Sequence, residues 1–487
     1  MISPKSALTA AAGLCLVSAP GTPWAAEVEV TPRLEVRETY TDNVLLSADD
    51  RQDDFVTVIA PGFDVRAVGP RLRLDASYTG SFLYFANQDS NDFRNRAQLR
   101  ANSELVDDRV FLNASALVEQ TFVDRSESFS FSDANITENR STIQSYSLSP
   151  SVRGNISQEV EWSLSYILGL TFSDEDDEGS SGIALSDSIN HTVSLVAGSG
   201  RNAGRFTWRA LGQLRRVDRI GGRTFANDDV RLELGYRLDR RLRFVGSAGF
   251  ERTGFQTFFG RDNDGVVWDA GLDWTPNRRA SVSVRYGQRI EEDTVDLNAR
   301  FNLSDRTRLF ARYNDELTTS QQVLLQTALI PNLDDQGNPT FDPITGAPQL
   351  IIVPVFTLND LDFRRRLATA GVTHRRGRNR FQVSAFGEQR DFDESLGLDR
   401  GRSLGGSFSA SRDFSRNASG SITFRYRYEE FEDSARQDNE YLGRVRFNYD
   451  ISQSLTGSLS YIRTQRDSDL DEDFTENAIA LSVTARF

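Results

Sequence analysis

Apolar and polar residues alternate with a period of two along almost the whole chain, in runs too long for ordinary soluble strands. Leu72, Leu74, Ala76, Tyr78, Gly80, Phe82 and Tyr84 interleave with Arg73, Asp75, Ser77, Thr79 and Ser81. Ala418, Gly420, Ile422, Phe424, Tyr426 and Tyr428 share a face in the same way, as do Ile479, Leu481, Val483, Ala485 and Phe487. A period of two sends successive side chains to opposite faces of an extended strand. Helical periodicity is nearly absent, so the chain reads as all-β. Runs of about 10 to 14 residues match a strand tilted across a bilayer better than the usual five or six of a soluble sheet.

The connections narrow the choice further. Ten tight turns, from Val68–Pro70 through Asp239–Arg241 to Ile451–Gln453, alternate with eleven mostly longer and acidic loops, among them 41–54, 124–140, 174–187, 315–361 and 464–473. Twenty-one alternating connections join 22 strands and put both chain ends on the short-turn side. An even-numbered antiparallel up-and-down barrel of a bacterial outer membrane requires this, whereas a sandwich or propeller does not. The expected range is 20 to 24 strands. A 22-strand ring is roughly 40–45 Å across, wider than side chains can fill. TonB-dependent transporters of that strand count carry an N-terminal plug domain; here the first strand begins near Val30, and no plug domain is expected. The loop 315–361, with apolar pieces at Val323–Leu325 and Leu350–Phe356, is expected to fold inward or against the rim. Trp162 and Trp274 beside short turns and Trp268 near a long loop suit the two interfacial girdles.

Composition supports an exported envelope protein. Lys5 is the only charge before Glu27 and Ala7–Val17 is a short apolar run, which together read as a signal peptide over 1–26. Residues 27–487 are then one barrel domain. Removing Lys5 takes the net charge from −14 to −15 and removes Cys15, the single cysteine. A net acidic chain gives no support to nucleic-acid binding. His191 and His374 are the only histidines, too few for a nucleophile–histidine site or a metal centre, so no enzyme, cofactor or metal is expected. The acidic stretches Asp174–Glu178 and Asp467–Asp473 lack recognisable Ca²⁺-ligand spacing and read as solvated outer loops.

Two local resemblances add to this. The aromatic ending at Phe487 resembles the C-terminal signal by which outer-membrane barrels are recognised and inserted. The segment Glu38-Thr39-Tyr40-Thr41-Asp42-Asn43-Val44-Leu45-Leu46, with Pro61-Gly62-Phe63 and Gly69-Pro70-Arg71-Leu72 after it, resembles the opening of outer-membrane barrels associated with PEP-CTERM/exosortase and exopolysaccharide loci. That resemblance covers about residues 35–85. It implies an integral outer-membrane location and an exopolysaccharide setting, but no reaction.

Charged side chains on a lipid-facing surface cost several kcal/mol at mid-membrane, so strand arginines are expected to point inward. The expected lumen-facing set is Arg94, Arg96, Arg100, Arg209, Arg215, Arg231, Glu233, Arg285, Arg289, Arg300, Arg312, Arg425, Arg427, Arg444 and Arg446. Such a wall either pairs with itself for structure or offers planar donors to an anionic or sugar-like solute. The leading expectation is a passive channel or export component. The alternatives are an occluded barrel that anchors polysaccharide or a surface protein through its acidic loops, and a barrel hydrolase. Expected partners are membrane lipid and lipopolysaccharide, the barrel assembly machinery and polysaccharide export components.

Overall fold

The alternating runs become 22 strands in a computed structural model of the chain. It describes residues 26–487 apart from 89, 123–127, 129, 131, 133, 138, 175–184, 201, 254–263, 290–291, 329–359, 393–400, 432–435 and 471–472. The signal peptide expected at 1–26 therefore lies, but for Ala26, outside the described residues. The first eleven strands are β1 (Glu27–Thr41), β2 (Asp54–Val68), β3 (Leu72–Phe85), β4 (Asn91–Val106), β5 (Val110–Phe122), β6 (Arg140–Asn155), β7 (Val160–Asp174), β8 (Ser188–Ser199), β9 (Phe206–Arg219), β10 (Phe225–Arg237) and β11 (Leu242–Thr253). The rest are β12 (Gly265–Asn277), β13 (Ala280–Arg289), β14 (Glu292–Ser304), β15 (Thr307–Thr319), β16 (Asp362–Arg376), β17 (Asn379–Asp391), β18 (Gly401–Asp413), β19 (Ala418–Glu430), β20 (Gln437–Asp450), β21 (Leu455–Ser468) and β22 (Phe474–Arg486). A single helix among the described residues, α1 (Ser320–Ala328), follows β15.

Each strand pairs antiparallel with its sequence neighbours, and β1 pairs with β22 from Arg33↔Arg486 to Thr41↔Ala478. The sheet thus closes into one 22-strand barrel, as the alternating connections required. Closure leaves no edge, which is what lets a sheet sit in lipid. The outward register carries exposed apolar side chains around the ring, including Val36, Ile59, Leu232, Phe244, Val383, Phe424 and Leu481. A closed barrel with an apolar outer band is an integral outer-membrane protein. Trp268 stacks edge-on against Tyr286 on this face, near the long-loop end, as part of the outer girdle.

The short turns are built by local capping. At the β10–β11 turn, Asp239 accepts from the backbone N–H groups of Arg241 at 2.6 Å and Leu242 at 2.8 Å. Those bonds hold its carboxyl below the usual carboxylate range. At the β16–β17 turn Gly377 takes a positive φ of 60°, which favours glycine.

The wall is not uniformly hydrogen-bonded. Between β4 and β5 the ladder runs from Val106↔Val110 only to Ala97↔Val118, although β4 begins at Asn91. Between β14 and β15 it stops at Leu297↔Tyr313, while Glu292–Asp296 stay paired to β13 and Asn314–Thr319 stay paired to β16. Both gaps lie at the long-loop end, nearly opposite one another on the ring.

The register makes a direct prediction. Leu232 lies mid-strand on the outer face, 48% exposed. Leu232→Arg should lower the unfolding free energy by about 2–4 kcal/mol in bilayer urea titrations, while Asn102→Arg, on the inner face, should stay within about 1 kcal/mol.

Candidate functional site: the lumen and its outer closure

Strand pairing and exposure together place every expected lumen residue. Arg94, Arg96 and Arg100 lie in the register opposite exposed Phe93; Arg209 and Arg215 opposite Trp208 and Leu214; Arg231 and Glu233 opposite Val230 and Leu232. Arg285 and Arg289 oppose Tyr286, Arg300 opposes Leu303, and Arg312 pairs with Asn298 in the inward register. Arg425 and Arg427 oppose Ile422 and Phe424, and Arg444 and Arg446 oppose Val445 and Phe447. All therefore sit on the inner face.

Much of this set pairs with carboxylates of the wall, either between strands or two residues along the same strand. Arg209 and Arg243 both donate to Glu233, at 2.9 and 3.0 Å. Arg285 donates to Asp273 at 2.8 Å, Arg231 to Asp229 at 2.8 Å, and Arg427 to Glu429 at 2.7 Å. Glu251, fully buried, receives Arg289 Nε at 2.6 Å and Asn227 Nδ2 at 2.6 Å. Arg96, Arg300 and Arg312 are exposed on the inner face instead. The wall is thus a lattice of charge-assisted bonds with some guanidinium groups turned to the lumen.

Burial on the inner face concentrates toward the long-loop end, where two chain segments fold into the barrel. The first is the described part of 124–140. Ser130, Ser132, Ala134, Asn135 and Asn139 are all buried. Thr41 Oγ1 at 2.9 Å, Ser132 Oγ at 2.6 Å, Asn135 Nδ2 at 2.9 Å and Ser130 Oγ all donate to the carboxylate of Glu476 on β22, which is 1% exposed. Four neutral donors compensate the burial of this charge. Ile136 N donates to Val44 O at 3.0 Å, and Arg94 Nη2 to Asn135 O at 3.2 Å. Below, Val44, Val56, Val58, Ala60, Leu83, Phe85 and Ala134 form an apolar cluster inside the barrel. The acidic pattern of 124–140 predicts a solvated outer loop, whereas Ser130, Ser132, Ala134, Asn135 and Asn139 within it are buried inside the barrel. The signal was in Phe55–Ala60, which is apolar on both faces and so needs an inner cover.

The second segment is the end of the β15–β16 hairpin with α1. Val323 joins Ile143 of β6, Leu185, Phe363 of β16 and Phe392 in one buried cluster. β6 and β16 are ten strands apart in a ring of 22, so this cluster spans the lumen. Leu325 sits so close to β7 that a Cβ built on Gly169 would be 2.5 Å from its Cδ1. Asp360 accepts from Gln321 Nε2 at 2.7 Å and Ser186 N at 2.9 Å. Arg219, almost wholly buried, holds Asp362 at 2.5 Å. The beginning of the 315–361 segment therefore lies inside the barrel, strand-like to Thr319 and helical to Ala328; Leu350–Phe356 lies outside the described residues.

The histidines take no part in the lumen. His191 Nδ1 lies 2.7 Å from Tyr166 Oη and His374 Nδ1 2.9 Å from Thr307 Oγ1, both in the outward register. No cluster of three or more potential metal ligands occurs among the described residues.

Residues 406–487, from within β18 to the end of β22, match the family described as Putative beta-barrel porin 2. No curated protein matches the chain. Among solved structures, the ferric enterobactin receptor of Pseudomonas aeruginosa, in complex with enterobactin, is similar over 94% of this chain and 81% of that one, at a TM-score of 0.50 and 8% identity. A BenF-like porin from Pseudomonas fluorescens is similar over 94% and 99%, at a TM-score of 0.37 and 8% identity. OccK2 of Pseudomonas aeruginosa, in complex with glucuronate, is similar over 95% and 98%, at 0.36 and 7%. The chain is an outer-membrane β-barrel of 22 strands.

The Glu476 cluster gives a test in this barrel. Losing a hydrogen bond to a buried charge costs about 1.5–3 kcal/mol. Glu476→Ala should therefore raise the thiol-labelling rate of Ala134→Cys by about tenfold or more. An unchanged rate would mean that the segment is held by its apolar contacts alone.

Proposed function

We propose that this barrel is a gated channel for an anionic or sugar-like solute, closed at its outer end by chain folded into the lumen. The observation that carries the reading is the division of the inner face. Toward the short turns it is open and arginine-bearing, with the Arg209 side chain 51% exposed; toward the long loops it is filled by the buried clusters around α1 and beside Glu476. A scaffold that only anchored surface material would need no solvated charged basin behind such a closure. Arginine suits carboxylated sugars because its fork donates to both carboxylate oxygens. The resemblance of residues 38–46 to barrels of exopolysaccharide loci supports polysaccharide export as the process served, with the solute entering from the periplasmic side.

Bilayer conductance of refolded protein tests this. The intact chain should show small or intermittent currents. Removing 320–356 should leave assembly intact, because β15 and β16 still pair, and raise conductance several-fold. Gly169→Leu should act in the same direction more weakly by displacing Leu325. If both variants assemble and carry no more current than the intact chain, the occluded anchoring barrel becomes the better reading.

A further inference from the structure

The top of the lumen is spanned by packed side chains, yet the wall beside it has a break in its backbone ladder. Past Leu297↔Tyr313, β14 and β15 are not paired, although each remains fully paired to its other neighbour. This is not fraying of a free end. The β15–β16 hairpin leaves the wall and slides inside it. Asp315 and Leu317 continue the outward register of Tyr313, yet the Asp315 side chain is 2% exposed and Leu317 is 7% exposed. Leu317 packs on Val217 and Phe225, which face the lumen from β9 and β10. Arg364 and Arg366, in the outward register of β16, reach Glu292 in the inward register of β14. The outer face of the hairpin therefore lies against the inner face of the opposite edge, as a lap joint.

The joint is held by side chains. Arg364 grips Asp315 with Nε at 2.7 Å and Nη2 at 2.6 Å, and Nη2 also donates to Asp293 O at 3.2 Å. Arg366 bonds Glu292 at 2.6 Å and Asp391 at 3.2 Å. Arg289 Nη1 donates to Asp315 O at 3.5 Å. Backbone edges exposed to lipid cost several kcal/mol per unsatisfied group, and here guanidinium groups supply part of what a ladder would. The level is informative as well. Val295, in the unpaired part of β14, is paired to Tyr286, the partner of Trp268 in the outer girdle, and is itself exposed outward. The joint thus lies where acyl chains meet headgroups.

We propose that this joint is a lateral port: the β15–β16 lap opens to pass an amphiphile, with an apolar tail and a polar head, between the lumen and the outer leaflet. This rests on the channel reading but places the exit in the wall. The tail would follow the apolar surface at Leu317, Val217 and Phe225, while the head would exchange places with the ion pairs of Arg364 and Arg366.

The test uses single cysteines carrying a fluorophore, in bilayers of phosphatidylcholine with brominated acyl chains. Val295→Cys, on the outer face, should be quenched in every background, and Ser247→Cys, on the inner wall, in none. Leu317→Cys should be weakly quenched with the lap intact. In Arg364→Gln/Arg366→Gln its quenching should rise about tenfold, as loss of a charge-assisted bond predicts. Should the double variant not assemble, Arg366→Gln alone, or the intact chain at high salt, should shift quenching in the same direction, since salt screens such pairs. Assembled protein in which Leu317→Cys never gains quenching would overturn the port. Larger currents after removal of 320–356 would in that case leave the channel itself standing.

Discussion

Everything in this molecule follows from the need to satisfy backbone hydrogen bonds without water. Lipid offers the peptide group no partner, so a spanning sheet must close on itself. Here closure is completed by β22 on β1, over nine paired positions from Thr41↔Ala478 to Arg33↔Arg486. Once the ring is closed, the two-residue period sorts the chemistry without further instruction. Val36, Leu232 and Leu481 go to the acyl chains, and Arg231, Glu233 and Arg285 go inside. The β14–β15 edges depart from the rule, and there guanidinium groups take over part of the ladder's task.

A ring of 22 strands then poses a second problem, because its interior is too wide to fill from the wall. The barrel answers with its own loops. Around α1 the solution is apolar: Val323, Ile143, Phe363 and Phe392 bury one another across the lumen. Around Glu476 it is polar, with four neutral donors on one carboxylate. The two differ in how they can release. An apolar cluster must be pulled apart over its whole area, whereas a carboxylate cluster loses its hold when one donor set turns away. A channel with one closure of each kind can open in stages.

Much of this architecture was legible in the sequence because it depends only on period and connection length. Alternation identified the strands, and the alternation of short with long connections gave both their number and the side on which both ends lie. The inward arginines followed from the cost of charge in lipid. What the sequence concealed had specific causes. Arg364, Arg365 and Arg366 are consecutive, so no two-residue rule can put all three inside; only the inward lean of the hairpin buries both faces. Glu476 is one acidic residue among many near the outer loops, and its partners come from segments far away in the chain. Phe55–Ala60 did carry a signal, since apolar residues on both faces of a strand imply a cover on each.

The central claim is that chain folded into the outer end separates a solvated basin from the outside. Ser283 lies in the inward register of β13, turnward of that closure. A cysteine placed there should react with a membrane-impermeant thiol reagent from the periplasmic side of an oriented bilayer, and much more slowly from the outer side. Equal rates from both sides would contradict the account.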